Sequence, residues 1–283
     1  MEKKYIDLHL HTTYSDGQLS PEQIAKLAAH KGIDIFAISD HDNFRGYEDA
    51  KHTAKQYGIK IIPGAEITTP NYHLLAYNFD TENQQFKEFI EYSKSVQDNA
   101  CEARVNNMRR HGVPITIEKV RNGFINARLG KGNIKDTMKR DSECRNYFQE
   151  KFPDSSPEKV YLHYLGKEGL VSNLEPKRGM DPYETIRNVH AVGGIIGIAH
   201  PPKDIKEMKE LEILVIQGID FLEVQPNLKP KYEYQQFEDF AKKNNLPVSY
   251  GSDYHGPTMA RELLGQGENI LTKGMAKLLK IAQ

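Results

Sequence analysis

Short apolar runs that close on histidine or a carboxylate recur along this chain, and they limit its fold more than any other feature. The first is Tyr5-Ile6-Asp7-Leu8-His9-Leu10-His11, followed by Asp16. Next come Ile35-Phe36-Ala37-Ile38-Ser39-Asp40-His41-Asp42 and Ile61-Ile62-Pro63-Gly64-Ala65-Glu66. The series continues with Tyr72-His73-Leu74-Leu75, then Ile195-Ile196-Gly197-Ile198-Ala199-His200-Pro201, then Val248-Ser249-Tyr250-Gly251-Ser252-Asp253-Tyr254-His255. Six of the eleven histidines lie in these runs. Imidazoles and carboxylates gathered at strand ends are what a barrel presents at one mouth to hold metal ions.

Between the runs lie amphipathic segments. Ser20, Pro21 and Gln23 form a helix start, Ile24, Leu27 and Ala28 share a face, and Gly32 ends the helix. A second helix is expected over about 46–57, stopping at Gly58. Strands are expected at 5–10, 34–39, 59–63, 73–77, 195–199, 219–224 and 247–251. Strand and helix alternate, which argues for parallel pairing in an α/β fold. Seven strands point to a seven-stranded (β/α)7 barrel. Residues 82–178 read differently: polar, helical in period and poor in β-branched runs, with short helices over about 116–121, 132–139 and 157–164. The expected organisation is a barrel domain over 1–81 and 179–283 and a helical, substrate-capping insertion over 82–178. Helices over about 182–192, 204–217, 230–244 and 270–282 complete the plan.

The 283 residues carry a net charge of -1, which offers no electrostatic footprint for duplex nucleic acid. No apolar run approaches the roughly 18 residues of a membrane span. The N-terminus leads straight into an expected strand, so no signal peptide is expected, and only Cys101 and Cys144 are present. A disulfide framework is therefore not expected, and a cytoplasmic location is.

His9-x-His11 on a strand puts both imidazoles on one face, because strand side chains alternate. Asp253-x-His255 repeats that spacing. Histidines standing alone in helical or polar contexts, His30, His52, His111, His163 and His190, are read as surface or helix residues. The candidate ligands are His9, His11, Asp16, His41, Glu66, His73, His200, Asp253 and His255. Burying so many ionisable groups together without a cation would cost several kcal/mol each, and metal coordination removes that penalty. Nitrogen and oxygen donors without thiolate suit Mn, Zn or Fe(II). Nine donors are too many for one ion, so two to three divalent ions sharing a carboxylate are expected. Such clusters activate water as hydroxide for attack at phosphorus.

These motifs, together with Gly64-x-Glu66-Ile67, Ala199-His200-Pro201 and Ser252-Asp253-x-His255, resemble those of the PHP (polymerase and histidinol phosphatase) family. The resemblance covers about 1–80 and 180–256. The helical insertion and the motif order are similar to the subgroup of nucleoside 3′,5′-bisphosphate phosphatases, also called 5′→3′ oligoribonucleases. The resemblance implies a distorted (β/α)7 barrel with a trinuclear centre. It assigns His9, His11, Glu66 and Asp253 to one metal. Glu66 would bridge to a second held with His73 and His200, and Asp16, His41 and His255 would hold a third. Asp40 becomes a residue that orients a ligating histidine.

Where that subgroup carries a Gly-Arg-x-His-Ile segment, this chain reads Gly130-Lys131-Gly132-Asn133-Ile134. Lys131 keeps the charge but lacks the bidentate fork of arginine, which Arg128 could supply. Arg128, Lys131, Asn133, Lys177 and Arg178 are thus the phosphate-binding candidates, with a solvated helix charge as the competing account of Arg128 and Lys131. The expected activity is hydrolysis of the 3′-phosphate of nucleoside 3′,5′-bisphosphates or of short 5′-phosphorylated oligoribonucleotides. His200, His255 and Asp253 are the expected catalytic groups, with His200 or His255 protonating the leaving oxygen. The expected partner is a small nucleotide or short single-stranded RNA, with no membrane and no duplex. Three alternatives stay open: a histidinol phosphate or other small phosphomonoester phosphatase, an amidohydrolase acting on C–N or C–O bonds, and a binding module without catalysis.

Overall fold

A computed structural model of the chain describes residues 3–124, 127–166, 168–171, 179–201, 205–224, 231–258 and 269–281. The first half begins with strand β1 (Ile6–Leu10), helix α1 (Pro21–His30), β2 (Ile35–Ile38), α2 (Arg45–Gln56), β3 (Lys60–Ile62), β4 (Gly64–Thr68) and β5 (His73–Tyr77). Then come α3 (Gln84–Arg110), α4 (Ile117–Arg121), α5 (Lys131–Arg140), α6 (Ser142–Lys151) and α7 (Pro157–Leu165). Alternation resumes with α8 (Pro182–Ala191), β6 (Ile195–Ile198), α9 (Ile205–Gln217), β7 (Phe221–Val224), α10 (Lys231–Lys243), β8 (Val248–Tyr250) and α11 (Lys273–Leu278).

The fold is mixed α/β, as the alternation implies, but its sheets depart from a seven-stranded parallel barrel. Eight strands are present among the described residues. They form a three-stranded sheet, β1-β2-β3, and a five-stranded sheet, β4-β5-β6-β7-β8. No ladder closes them into a barrel among those residues. Single parallel bridges, Leu10 with Tyr254 and His41 with Glu66, are where the edges of the two sheets meet. The additional strand is β4. Pro63, lacking an N–H, separates it from β3, and residues 64–68 pair antiparallel with β5 in a hairpin. β5 also pairs antiparallel with β6. Glu66 therefore lies in the middle of a strand rather than in a loop after one. The expected reading missed this because Ile61 to Thr68 is one apolar run interrupted only by Pro63-Gly64.

Local signals place the helices well. Ser20 accepts from the Gln23 amide, and Gln23 returns the bond to the Ser20 backbone. Ile24, Ala25 and Ala28 face the interior. Gly32 and Gly58, each at φ +69°, close α1 and α2 in the left-handed conformation that glycine adopts without strain. Helix α6 was not among the helices expected from periodicity. Its apolar stripe is reduced to Cys144 and Phe148, and its start is set by the Asp141 side chain accepting from the Cys144 amide.

The chain divides into two compact units, residues 1–93 with 179–283, and residues 94–178. In the first, Ile6, Leu8, Ile35, Ala37, Leu75, Tyr77 and Phe221 pack between strands and α11. Phe86, Phe89 and Ile90 of early α3 join Ile67, Leu74, Ile196, Ile198 and Leu222. The second unit has its own core of Cys101, Val105, Met108, Leu129, Ile134, Phe148 and Tyr164. No described helix is long and apolar enough to cross a membrane.

Candidate metal centre

All nine ligand candidates belong to the first unit and converge. β1 carries His9 and leads directly into His11, with their Nε2 atoms 3.1 Å apart. Glu66 is the hub. Its Oε2 lies 3.3 Å from His9 Nε2, 3.3 Å from His11 Nε2 and 3.0 Å from His41 Nδ1. Its Oε1 lies 2.9 Å from His73 Nδ1 and 3.0 Å from His200 Nε2. Asp253 Oδ1 sits 3.5 Å from His9 Nε2 and 3.3 Å from His11 Nε2. Asp16 Oδ1 is 3.3 Å from His255 Nε2, 3.8 Å from His11 Nδ1 and 3.9 Å from His41 Nε2.

Three sets have donor atoms close enough to share an ion: His11, Asp16, His41 and His255; His9, His11 and Asp253; and His41, Glu66 and His73. His11 and His41 each belong to two sets, so the three groups implied by the resemblance overlap here rather than stand apart. Donor separations near 3 to 3.5 Å are what neighbouring ligands show around one ion at about 2.1 Å. Glu66 Oε2 and Asp16 Oδ1 are buried and accept no hydrogen bond. A buried carboxylate oxygen ringed by imidazoles yet without a hydrogen bond fits a group arranged for a cation. The donor set fits divalent metal on these grounds.

The electrostatics agree. Burial alone would lower the His9 and His11 pKa values. Glu223, Glu66 and Asp253 overcome it at His9 and raise it well above the usual imidazole range. The carboxylates of Asp253 and Glu66 beside it outweigh that effect and raise His11 to about 10. At His200 burial also lowers the value, but Glu66 leaves it raised. Burial pushes the Asp16 and Asp253 carboxyls up, yet the surrounding imidazoles hold both well below the ordinary range. The carboxylates thus demand positive charge at the centre, which protons supply at the imidazoles and divalent ions would supply more fully.

A layer of buried groups behind the ligands fixes their ring orientations. Glu223 Oε1 accepts from His9 Nδ1 at 2.9 Å, which leaves Nε2 turned toward the cluster. Glu223 Oε2 also accepts from the His200 backbone N–H at 2.6 Å. The Asp253 carbonyl accepts from His255 Nδ1 at 2.8 Å, again presenting Nε2. Asp40 acts through a loop rather than by touching a histidine. It accepts from the Thr12 amide, the Thr12 hydroxyl and the Ser15 hydroxyl, and Ser15 Oγ lies 3.3 Å from His11 Nδ1. Asp42 accepts from the Thr68 amide and hydroxyl and the Ser93 hydroxyl. Asp7 accepts from the Ser252 and His9 amides, and burial pushes its carboxyl up to about 6.

Gly251 permits the His9–Glu223 contact, since a Cβ there would lie 2.3 Å from His9 Cβ and 2.7 Å from Glu223 Oε1. Asp42, His200 and Asp253 hold positive φ angles of 48°, 26° and 53°. Non-glycine residues in that region concentrate at functional sites.

Sequence reasoning missed Glu223 and Asp7. The available signal was a carboxylate inside an apolar strand, Phe221-Leu222-Glu223-Val224 and Ile6-Asp7-Leu8, where packing alone offers no reason for one.

The phosphate-binding candidates fall in the second unit or outside the described residues. Arg128 is buried. Lys131 Nζ donates to the Leu165 carbonyl at 2.8 Å. Asn133 Oδ1 accepts from the Gly130 amide at 2.7 Å and so caps α5. Lys177 and Arg178 lie outside the described residues.

Comparison with known proteins gives a consistent picture. The sequence model of the PHP domain matches residues 7–150. A 5′-3′ exoribonuclease of Haemophilus influenzae is 29% identical over 265 residues, covering 91% of this chain and 92% of that protein. A 3′,5′-nucleoside bisphosphate phosphatase of Chromobacterium violaceum is 25% identical over 279 residues, covering 94% and 92%. Among solved structures, one from Bifidobacterium adolescentis assigned as a metal-dependent phosphoesterase superposes with a TM-score of 0.80. It covers 98% of this chain and 95% of its own at 21% identity, which speaks to the fold.

Proposed function

This chain belongs to the PHP domain family, and from that premise we propose a metal-dependent hydrolase of nucleotide phosphate esters. The substrates are the 3′-phosphate of nucleoside 3′,5′-bisphosphates and short 5′-phosphorylated oligoribonucleotides. The observation that carries the reading is Glu66, a fully buried carboxylate with five imidazole nitrogens around its two oxygens. Two relatives aligned along nearly their whole length, named for exoribonuclease and nucleoside bisphosphate phosphatase activity, support the nucleotide class.

The nine donors would hold two to three divalent ions of Mn, Zn or Fe; both cysteines are buried and take no part in the three donor sets. Ions bound there supply a water-derived nucleophile at neutral pH and neutralise charge on the phosphoryl oxygens. The chain's own groups do the rest. Glu223 and the Asp253 carbonyl keep His9 and His255 in the tautomers that turn Nε2 toward the donor cluster. His200 has the most exposed side chain of the nine, at 32%. His200 belongs to none of the three donor sets; with its ring left off the ions, Glu66 would keep the imidazole protonated, so that it can deliver a proton to the leaving oxygen. His255, whose Nδ1 is held by the Asp253 carbonyl, is the second candidate for this role when its Nε2 is not bound to an ion. Asp253 anchors the His9–His11 pair. The basic residues Arg128, Lys131 and Arg178 of the helical insertion, which we assign to 82–178 as a substrate cap, bind the phosphate that is not cleaved.

A phosphate-release panel over nucleotides, run with Mn-, Zn- and Fe-loaded protein, tests the reading. Release from nucleoside 3′,5′-bisphosphates or 5′-phosphorylated RNA is expected. Release only from aryl or histidinol phosphates would overturn the substrate class. Hydrolysis of a cyclic amide or ester with no phosphatase activity would overturn the reaction class.

A further inference from the structure

The helical unit contains a cavity of about 320 Å³ between α5, α6 and α7, a size at the lower end of small-molecule sites. It has no ligand candidate of the metal centre in its walls. Three of its walls are aromatic: Phe148 is buried, and Phe152 and Tyr161 are half-buried. Three cations join them: Lys135, Lys139 and Arg145. No carboxylate among the described residues lines the cavity.

The cations are held in distinct ways. Lys135 Nζ lies 4.6 Å above the Tyr161 ring and 2.7 Å from Glu158 Oε2, a residue outside the cavity wall. Arg145 donates to the Lys139 and Arg140 carbonyls at 3.2 and 2.6 Å, fixing its guanidinium at the C-terminal end of α5. Lys139 is exposed. A ring-lined cavity flanked by two held cations and an exposed one matches a ligand with an aromatic face and an attached anion. A nucleotide has both parts. Peptide ligands would instead call for backbone partners, and these walls are dominated by rings, aliphatic groups and cations.

We propose that this cavity is an accessory subsite for one nucleotide in the body of a single-stranded RNA substrate. The base stacks against Phe152 and Tyr161, and a backbone phosphate meets Lys139 and Lys135. The inference rests on the nucleotide reading above and deepens it: the helical unit would itself bind single-stranded RNA, so the enzyme would favour oligoribonucleotides over mononucleotides. Stacking of one base is worth enough to change affinity by about five- to a hundred-fold.

Fluorescence anisotropy with a short 5′-phosphorylated, 3′-labelled oligoadenylate tests this on the full chain. Phosphate release from a nucleoside 3′,5′-bisphosphate is followed in parallel. Lys139→Glu and Lys135→Glu together should weaken oligoadenylate binding about ten-fold or more, with kcat/KM for the bisphosphate within about two-fold. Tyr161→Ala should weaken binding in the same sense, with circular dichroism reporting the fold.

Unchanged oligoadenylate affinity in the charge-reversed variant would overturn the subsite while leaving bisphosphate hydrolysis intact. AMP displacing the probe as well as unlabelled oligoadenylate does would also overturn it, because the cavity would then serve free nucleotide. An acidic phosphopeptide displacing the probe equally well would overturn it in favour of a protein partner. Absence of hydrolysis with lysine-dependent RNA binding would support the subsite and sink the hydrolase reading alone.

Discussion

The two units of this protein use charge in opposite ways. In the first, His9, His11, Glu66 and Glu223 are fully buried and in mutual contact, with Asp40 buried behind them, so their charges have no solvent to hide in. In the second, most charges are peripheral: Lys119 pairs with Asp141 and Glu143, Arg140 with Asp136, and Lys135 with Glu158. Exposed pairs of that kind contribute little, typically under about 1 kcal/mol. Beneath them lies an apolar core, with Asp98, Arg104 and Arg128 the buried charges at its edge. Buried charge that packing cannot explain marks chemistry, whereas peripheral charge on a helix is compatible with mere solubility.

The contrast is easiest to break at Asp253. Removing its carboxylate by Asp253→Ala should lower phosphate release by about a hundred-fold or more, with an unchanged circular dichroism spectrum. Near-normal turnover would show that the His9–His11 pair does not need this oxygen. Glu223→Gln comes next. It keeps the shape but removes the charge that raises His9 and orients its ring, so about ten- to a hundred-fold in metal affinity or activity should be lost. Metal titration separates this from a folding defect, because a purely structural Glu223 would leave affinity unchanged.

How legible these regions were in sequence follows the same divide. His9-x-His11, His41, Glu66, His200 and Asp253-x-His255 stood out because strand ends seldom carry such residues, and the fold brings all of them together. Glu223 and Asp7 escaped because each is a single carboxylate within an apolar run, with no neighbour of its own kind. The hairpin of β4 and β5 was hidden by the continuity of Ile61 to Thr68, since an apolar run does not announce a change of direction. In the helical unit α4, α5 and α7 followed the 3.6 period. α6 did not, because two buried residues are too few to define a stripe. Asn133 looked like a substrate contact in sequence, whereas its side chain caps α5.

Metal removal sharpens the comparison through pH. His11, with a folded pKa raised to about 10 from an unfolded value near 6.5, contributes stability that is fully present below about pH 6.5. That contribution is lost as pH rises toward 10. Metal-stripped protein should therefore melt at progressively lower temperature between those limits. Bound divalent ions take over the role of the protons, so the metal-loaded protein should show a much flatter dependence. Differential scanning calorimetry across that range, with and without chelator, checks the sign. A metal-stripped protein that grows more stable on going from neutral to alkaline pH would contradict the proposed field at the centre.

The smallest effects belong to the helical unit, where Lys131 and Asn133 test whether any of its polar groups do more than hold helices. Asn133→Ala deletes the acceptor for the Gly130 amide and should reduce stability by about 1 kcal/mol, with kcat and KM unchanged. Lys131→Ala removes one bond to the Leu165 carbonyl, with a similar structural effect. If its ammonium also meets the uncleaved phosphate, KM for a bisphosphate should rise several-fold while kcat holds, since uniform binding is lost without any change at the reacting atoms. Lys131→Arg supplies the fork that the related subgroup carries at this position, and should lower KM below that of the wild type. A matched pair of variants in which stability falls alike but KM rises only for Lys131 would assign the substrate contact to one residue and the cap to the other. Equal KM values would return Lys131 to the same structural class as its neighbours.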